Sequence, residues 1–557
     1  MTTQLLLGGL VYSSPAVPDA TALAITDGIV VWVGSDDVGR ALHPEAEVID
    51  LQGRFVSPAF VDSHVHLTDT GLALGGLDLS RTTSRTECLR ELAAFLAAAP
   101  STSSGSGGEQ SSGSGGDDDV IWGFGWDASA WVNAGPGEDQ APSTADLDAV
   151  AGPRPVYLTR IDEHSAAASS ALRARVESLA SEAGYDEQAP LIAEAHHRVR
   201  AAARALISPA GRRRAQLRAL DHAAAHGVVA VHENGGPDIS GLDDFASIAE
   251  LDHPVQVRRY WGQCVASADE ARAVVAETGA DAIGGDLFVD GALGSHTALL
   301  SAPYTDDPAT RGVSYLTLDQ VRAHLRATTE AGIQAGFHVI GDEAAAMVAT
   351  AMAEIADDLG TPALARCAHR LEHAEMVTPE QAELFARCGV VASMQPLFDA
   401  AWGGPGQLYE QRLGERGTTL NNFAALSKAG VGLAFSSDAP VCPIDPWATV
   451  RAAAHHHNPT SAISPRAAFA AVTRGGWRAG GMNDGLIGTL VPGAPAHYAV
   501  WETEDLVVAP SHQGVQRWST DPRSRVPALP DVAPGTRLPQ CVVTAYAGEV
   551  IYSRDAR

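Results

Sequence analysis

The sequence predicts an α/β fold: a (β/α)8, TIM-like barrel flanked by a small β-sandwich that both chain ends build together. Two observations carry this. Between about Pro58 and residue 487, apolar strand-like runs alternate with Ala-rich helical stretches, which is the texture of parallel βα units. Outside that span the chain reads as short β-branched and aliphatic runs broken by Gly, Asp and Pro. With 45% apolar and 19% charged residues among 557, there is enough apolar surface for a large core.

Taken in order, residues 4–11, 22–33 and 47–56 are hairpin-like runs that join the tail in the sandwich. The domains are therefore expected at 1–57, 58–487 and 488–557. Strands are expected at 60–66, 120–125, 155–160, 228–233, 255–260, 285–290, 334–340, 367–372, 390–395 and 431–437. These ten are two more than a closed barrel of eight needs, and periodicity does not say which two lie outside it. Helical stretches include 86–99, 317–331, 343–359 and 378–388. Residues 101–119 hold 13 Ser or Gly among 19 positions, a flexible insertion with no chemistry of its own.

The formal charge is 38 − 67 = −29, and only one of the 38 basic residues, Lys428, is a lysine. Contacts to phosphate need basic side chains to displace counterions, so the balance argues against nucleic acid and anionic membrane as partners. Six scattered cysteines without a CxxC spacing, and an amino terminus lacking the basic start and long apolar stretch of a secretory signal, fit a reduced cytoplasmic setting. A small molecule is the expected partner, and a homodimer is compatible with the sequence.

The sharpest local feature is VDSHVHL at 61–67. Residues i and i+2 of a strand share a face, so His64 and His66 would project together, forming half of a metal site. Asp62, on that same face, is read as a partner orienting one ring. His338 in FHVIGDEA, His373 in HRLEHAEMV and Asp438 in FSSDAPV each end an aliphatic run, where barrel enzymes place catalytic groups. The triplet His455-His456-His457 reads as a solvent-exposed helix end, and His196-His197 and Arg212-Arg213-Arg214 as exposed helical faces. His232, ending VVAVHE, is a candidate for a supporting contact behind the metal site.

In order and number, the stretches VSPAFVDSHVHL (56–67), PVYLTRIDEHSAA (155–167), DLFVDGALGSHTALLSAPY (286–304), FHVIGDEA (337–344), HRLEHAEMV (369–377) and FSSDAPV (435–441) resemble the amidohydrolase superfamily. More closely they resemble its branch of metal-dependent hydrolases that includes N-substituted formamide deformylase. The resemblance implies a divalent metal, most simply zinc, held by His64, His66, His338, His373 and Asp438. It also implies hydrolysis of a non-peptide C–N bond, amide or N-formyl, by metal-activated water. Asp438 would accept the water's proton and deliver it to the leaving nitrogen, with His373 beside it in the catalytic set. The stretches matching the pocket mouth include Asp290, Ser295, His296, Tyr304 and Gln395, and Arg160 and His164 are read as binding a substrate carboxylate or carbonyl.

One departure bears on mechanism. Many relatives carry a carbamylated lysine that bridges two metals where this sequence has Asp286. An aspartate reaches about 5 Å less far from the same backbone. Three outcomes follow: Asp286 meets a metal only if its strand shifts inward; or one metal is held by His64, His66, Asp438 and a middle-strand histidine; or activity is lost. A single metal is favoured. Two other readings stand beside the hydrolase. A mononuclear deaminase on the same barrel is disfavoured because no glutamate lies three residues after His338, and an inactive binding scaffold would bury imidazoles and carboxylates without compensation.

Overall fold

The computed structural model describes residues 2–98, 120–131, 134–507 and 526–556. The expected insertion at 101–119 lies outside the described residues. Among the described residues, eight parallel strands organise the centre. Strand β1 (Phe60–Val65) pairs with β2 (Val228–Gly235), β2 with β3 (Gln256–Trp261), and β3 with β4 (Ala282–Ile283). A second set runs β5 (Gly336–Val339), β6 (Arg370–His373), β7 (Val391–Met394) and β8 (Gly432–Phe435). Isolated parallel bridges link the sets, Ile283 to Ala335 and Phe288 to His338 along one edge, Val65 to Ala439 along the other.

The two surplus strand candidates are Ile121–Trp126 and Val156–Arg160, which pair with each other in a separate five-stranded sheet. Composition does not set them apart from the eight. What does is the antiparallel return of Val156–Arg160 onto Ser165–Ala168, a connection too short for a parallel crossover. The strand expected at 285–290 is displaced: regular pairing ends at Ile283, and the chain then passes through Gly284 and Gly285.

Helices fall close to their expected positions because the sequence signals their starts. Thr317 and Thr378 each accept from the backbone three residues on and are answered by Gln320 and Gln381, reciprocal caps on Leu318–Ala331 and Pro379–Arg387. Phe337, Val339 and Leu371 from the strands pack with Val321, Leu325, Val348 and Met352 from the helices in one buried cluster. Each such side chain contributes roughly 1.5–3 kcal/mol when taken out of water.

At the amino end, Ala22–Thr26 and Ile29–Gly34 form a hairpin whose turn residues, Asp27 and Gly28, have φ of 50° and 77°, the twist a two-residue turn needs. Phe55–Pro58 pairs antiparallel with Tyr498–Glu502, and Leu6, Leu23 and Val30 share a buried cluster with Leu490, Tyr498 and Val500. Among the described residues no helix is long and apolar enough to cross a membrane, and all six cysteines are free thiols.

Candidate metal centre

Backbone geometry brings six side chains to one point. His64 and His66 leave the same face of the β1 run, as alternation requires. The end of β1 is tied to the segment after β8 by two backbone bonds, Asp438 N–H to His64 O and His66 N–H to Ala439 O, both 2.9 Å. This fixes Asp438 beside the histidine pair. His373 and Asp438 have φ of 69° and 56°, left-handed values that cost about 1–3 kcal/mol for non-glycine residues and gather at functional sites. At His373 this φ breaks alternation, which would otherwise put it on the face of the core residue Leu371.

Asp286 comes within 3.1–3.6 Å of all four histidines, as the first of the three outcomes required, in spite of its length. Gly284 and Gly285, at φ of 132° and 71°, lie so near β5 that a Cβ on Gly336 would stand 2.2 Å from the Gly285 nitrogen. A Cβ on Gly262 would likewise sit 2.9 Å from the Asp286 carbonyl oxygen. Glycines on both sides let the segment press inward and carry Asp286 with it.

Asp286 Oδ2 lies 3.3 Å from His66 Nε2 and 3.5 Å from His64 Nε2, while its Oδ1 lies 3.1 Å from His338 Nδ1 and 3.6 Å from His373 Nε2. Asp438 Oδ1 stands 3.2 Å from His66 Nε2 and 3.3 Å from His64 Nε2. All six residues are buried. For three of the imidazoles the outer nitrogen is already used. His64 Nδ1–H donates to Glu372 (2.9 Å), His373 Nδ1–H to Gln395 (2.9 Å), and His338 Nε2–H to the Gly291 carbonyl (3.3 Å). The inner nitrogens of His64 and His373 therefore face carboxylate oxygens lone pair to lone pair, an arrangement that needs a cation or a proton between, while His338 Nδ1 lies within hydrogen-bond distance of Asp286 Oδ1, 3.1 Å. His64 Nε2, His373 Nε2 and Asp438 Oδ1 are buried without any hydrogen-bond partner. The donor set fits a divalent metal, and grips of three are available at His64–His66–Asp286, Asp286–His338–His373 and His64–His373–Asp438.

Electrostatics point the same way. Burial opposes protonation of His64, yet the Asp286 and Asp438 carboxylates outweigh it and hold His64 up at about 10; His66 is likewise held well above its ordinary value. Burial opposes ionisation of Asp286, but the charge of His64 and the facing His338 and His373 rings keep it well below the ordinary carboxylate range. Behind His64, Arg370 clasps both oxygens of Glu372 at 2.8 Å, donates to the Ser63 carbonyl at 2.6 Å, meets His232 Nδ1 at 2.8 Å, and stacks on Tyr260. Against burial, Arg370 and His64 hold Glu372 down at about 2.

An amidohydrolase family model matches residues 47–552. The chain is a member of the amidohydrolase family. Protein LONG AFTER FAR-RED 3 of Arabidopsis thaliana is 27% identical over 535 residues, covering 89% of this chain and 86% of its own. An uncharacterized metal-dependent hydrolase from Pyrococcus furiosus has a TM-score of 0.64 at 26% identity, over 89% of this chain and 98% of its own. Similarity to N-substituted formamide deformylase of Arthrobacter pascens is confined to 62 residues at 37% identity, 11% of either chain.

Around this amidohydrolase centre the remaining expected residues divide. His164 is half-buried against His338 and Phe288, with ring centroids 5.1 and 5.4 Å away. Arg160 is clamped by Asp127 (2.5 Å) and Asp162 (2.7 Å), so its charge is already shared by two carboxylates. Both oxygens of Asp290 are taken by backbone amides of Leu299, Ile340 and Gly341, and burial still pushes it up to about 7. His296 turns outward to Asp306, Ser295 bonds Asp162, and Tyr304 donates to the Ala298 carbonyl. Asp62 orients no ring; it accepts from the Ser437 and His64 amides and fastens β1 to the loop after β8.

Two further expectations are corrected. His456 is buried and His457 half-buried, both on Asp399, because the chain folds back over helix Pro396–Trp402. His196 and His197 are buried, stacked on Tyr157 and Phe288 respectively. Glu372 and Arg370 are functional neighbours that sequence reasoning passed over, although the spelling HRLEH held both.

Two cavities meet at the centre and share His164, His338, His373 and Asp438. One runs past Phe398 and Trp402; the other runs toward His197 and Arg200.

Proposed function

We propose that this amidohydrolase cleaves a non-peptide C–N bond, an amide or N-formyl group, of a small organic molecule. The observation that carries the reading is the convergence of four imidazoles and two carboxylates, with His64 Nε2, His373 Nε2 and Asp438 Oδ1 left without partners, at the junction of two cavities. When bound, a divalent metal lowers the pKa of a water to about 7 and polarises the scissile carbonyl. His64, His66, His338, His373, Asp286 and Asp438 would hold it, and zinc suits this donor set. Because Asp286 turns one oxygen to each histidine pair, it would serve as a ligand together with either pair. Asp438 accepts the proton of the attacking water and passes it to the leaving nitrogen, and His164 holds the substrate carbonyl over the centre.

The same reading takes the eight strands as a (β/α)8 barrel, supported by the bridges along both edges, with the two chain ends forming a composite sandwich divided from it near residues 57 and 487. Unpaired cysteines favour a reduced, cytoplasmic setting. A panel of small amides and formamides screened for released amine, ammonia and formate tests the reading. Turnover is expected in the wild type and none in His66→Ala with its fold retained; equal turnover in both proteins would overturn it.

A further inference from the structure

The cavity past Phe398 and Trp402 is walled largely by apolar side chains, Leu293, Ile340 and Leu408 among them, and besides Asp438 of the metal centre and Asp162, which is paired with Arg160, it carries the carboxyl of Glu375. Glu375 is only 4% exposed, and its Oε2 has no hydrogen-bond partner. Its neighbours form a polarised chain. Asn421 Nδ2 donates to the Tyr409 oxygen at 3.3 Å, which leaves the Tyr409 hydroxyl hydrogen for Glu375. The Asn421 amide also donates to the Glu375 carbonyl at 2.9 Å, so the three residues are fixed together. Glu375 Oε2 is thus a buried carboxyl oxygen left open beside the Tyr409 hydroxyl. Beside it stand three aromatic rings in sequence, Phe398 to Trp402 at 4.8 Å and Trp402 to Tyr409 at 6.5 Å, faces that attract a cation.

We propose that Glu375 is a specificity-determining residue which, with Tyr409, receives an ammonium group on the organic part of the substrate. The substrate class is then small aryl or alkyl amides that carry an amine away from the scissile C–N bond. An apolar pocket alone would accept any such organic group. The carboxyl rejects the uncharged ones, because a neutral apolar group there would leave Oε2 buried and unfilled. This inference rests on reading the centre as an amidohydrolase's, so its test is made independent of turnover.

Titration calorimetry on the full-length, metal-loaded protein compares benzylamine with toluene, its neutral counterpart, in the wild type and in Glu375→Gln. The wild type is expected to bind benzylamine about tenfold or more tighter than toluene, as a charge-assisted hydrogen bond would give. Glu375→Gln should lose that preference while keeping its toluene affinity and metal content. Equal binding of the two probes by the wild type, binding of neither, or a preference that survives in Glu375→Gln would overturn the proposal. A preference that holds in a protein releasing nothing from the amide panel would support the ammonium site and overturn the hydrolase reading alone.

Discussion

Asp286 stands between two pairs of imidazoles, His64 with His66 and His338 with His373, and turns one oxygen to each pair. Side-chain length alone argues against this, since aspartate is about 5 Å shorter than a carbamylated lysine. The backbone supplies the missing reach, through glycines whose spacing in GGD and in QAGF says nothing about strand approach until both segments are seen side by side. The histidines were easier to read. His64 and His66 follow from two-residue alternation, and His338, His373 and Asp438 from their places at the ends of aliphatic runs. Glu372 escaped notice because alternation sets it opposite His373, and only the left-handed backbone at His373 lets both serve one centre. Through His64 Nδ1, Glu372 fixes which ring nitrogen faces inward. Glu372→Gln is expected to weaken metal binding by about 10–100-fold, the usual effect of removing a carboxylate behind a histidine ligand, while most of the fold survives. Competition against a chelator would measure it, and unchanged affinity would count against the role.

Among the elements, the contact of the β4–Gly285 segment with β5 is the one on which the centre depends. Gly336→Ala puts a methyl group 2.2 Å from the Gly285 nitrogen and 2.8 Å from its Cα, both backbone atoms that cannot swing aside. Overpacking of this kind costs about 1–3 kcal/mol, and the relieving motion carries Asp286 outward. The expected outcome is a lower melting temperature together with loss of metal from the Asp286–His338–His373 grip, followed by calorimetry and elemental analysis. A variant that melts lower but keeps full metal content would show that Asp286 does not depend on this approach. Element types were largely legible, because capping pairs such as Thr317 with Gln320 and turn pairs such as Asp27-Gly28 are local. The role of Ile121–Trp126 and Val156–Arg160 was not, because an apolar run reads alike whichever sheet it joins. Likewise the His455–His457 triplet gave no sign that Asp399, far back in the chain, would draw two of its rings inward.

Over the whole molecule, residues spread from His64 to Asp438 are drawn to one buried point in a chain with a formal charge of −29. Without a cation, protons held on His64 and His66 must balance Asp286 and Asp438 there. Metal binding displaces those protons, so retention should strengthen as pH rises and fail as pH falls. The most direct measurement is elemental analysis of gently purified protein at neutral pH, for the wild type and His66→Ala side by side. One to two equivalents of a divalent metal per wild-type chain, falling to near zero in a folded His66→Ala, is the predicted result, in line with the available three-residue grips. A wild type that holds no divalent metal even after it is supplied, or a variant that holds as much as the wild type, would contradict it.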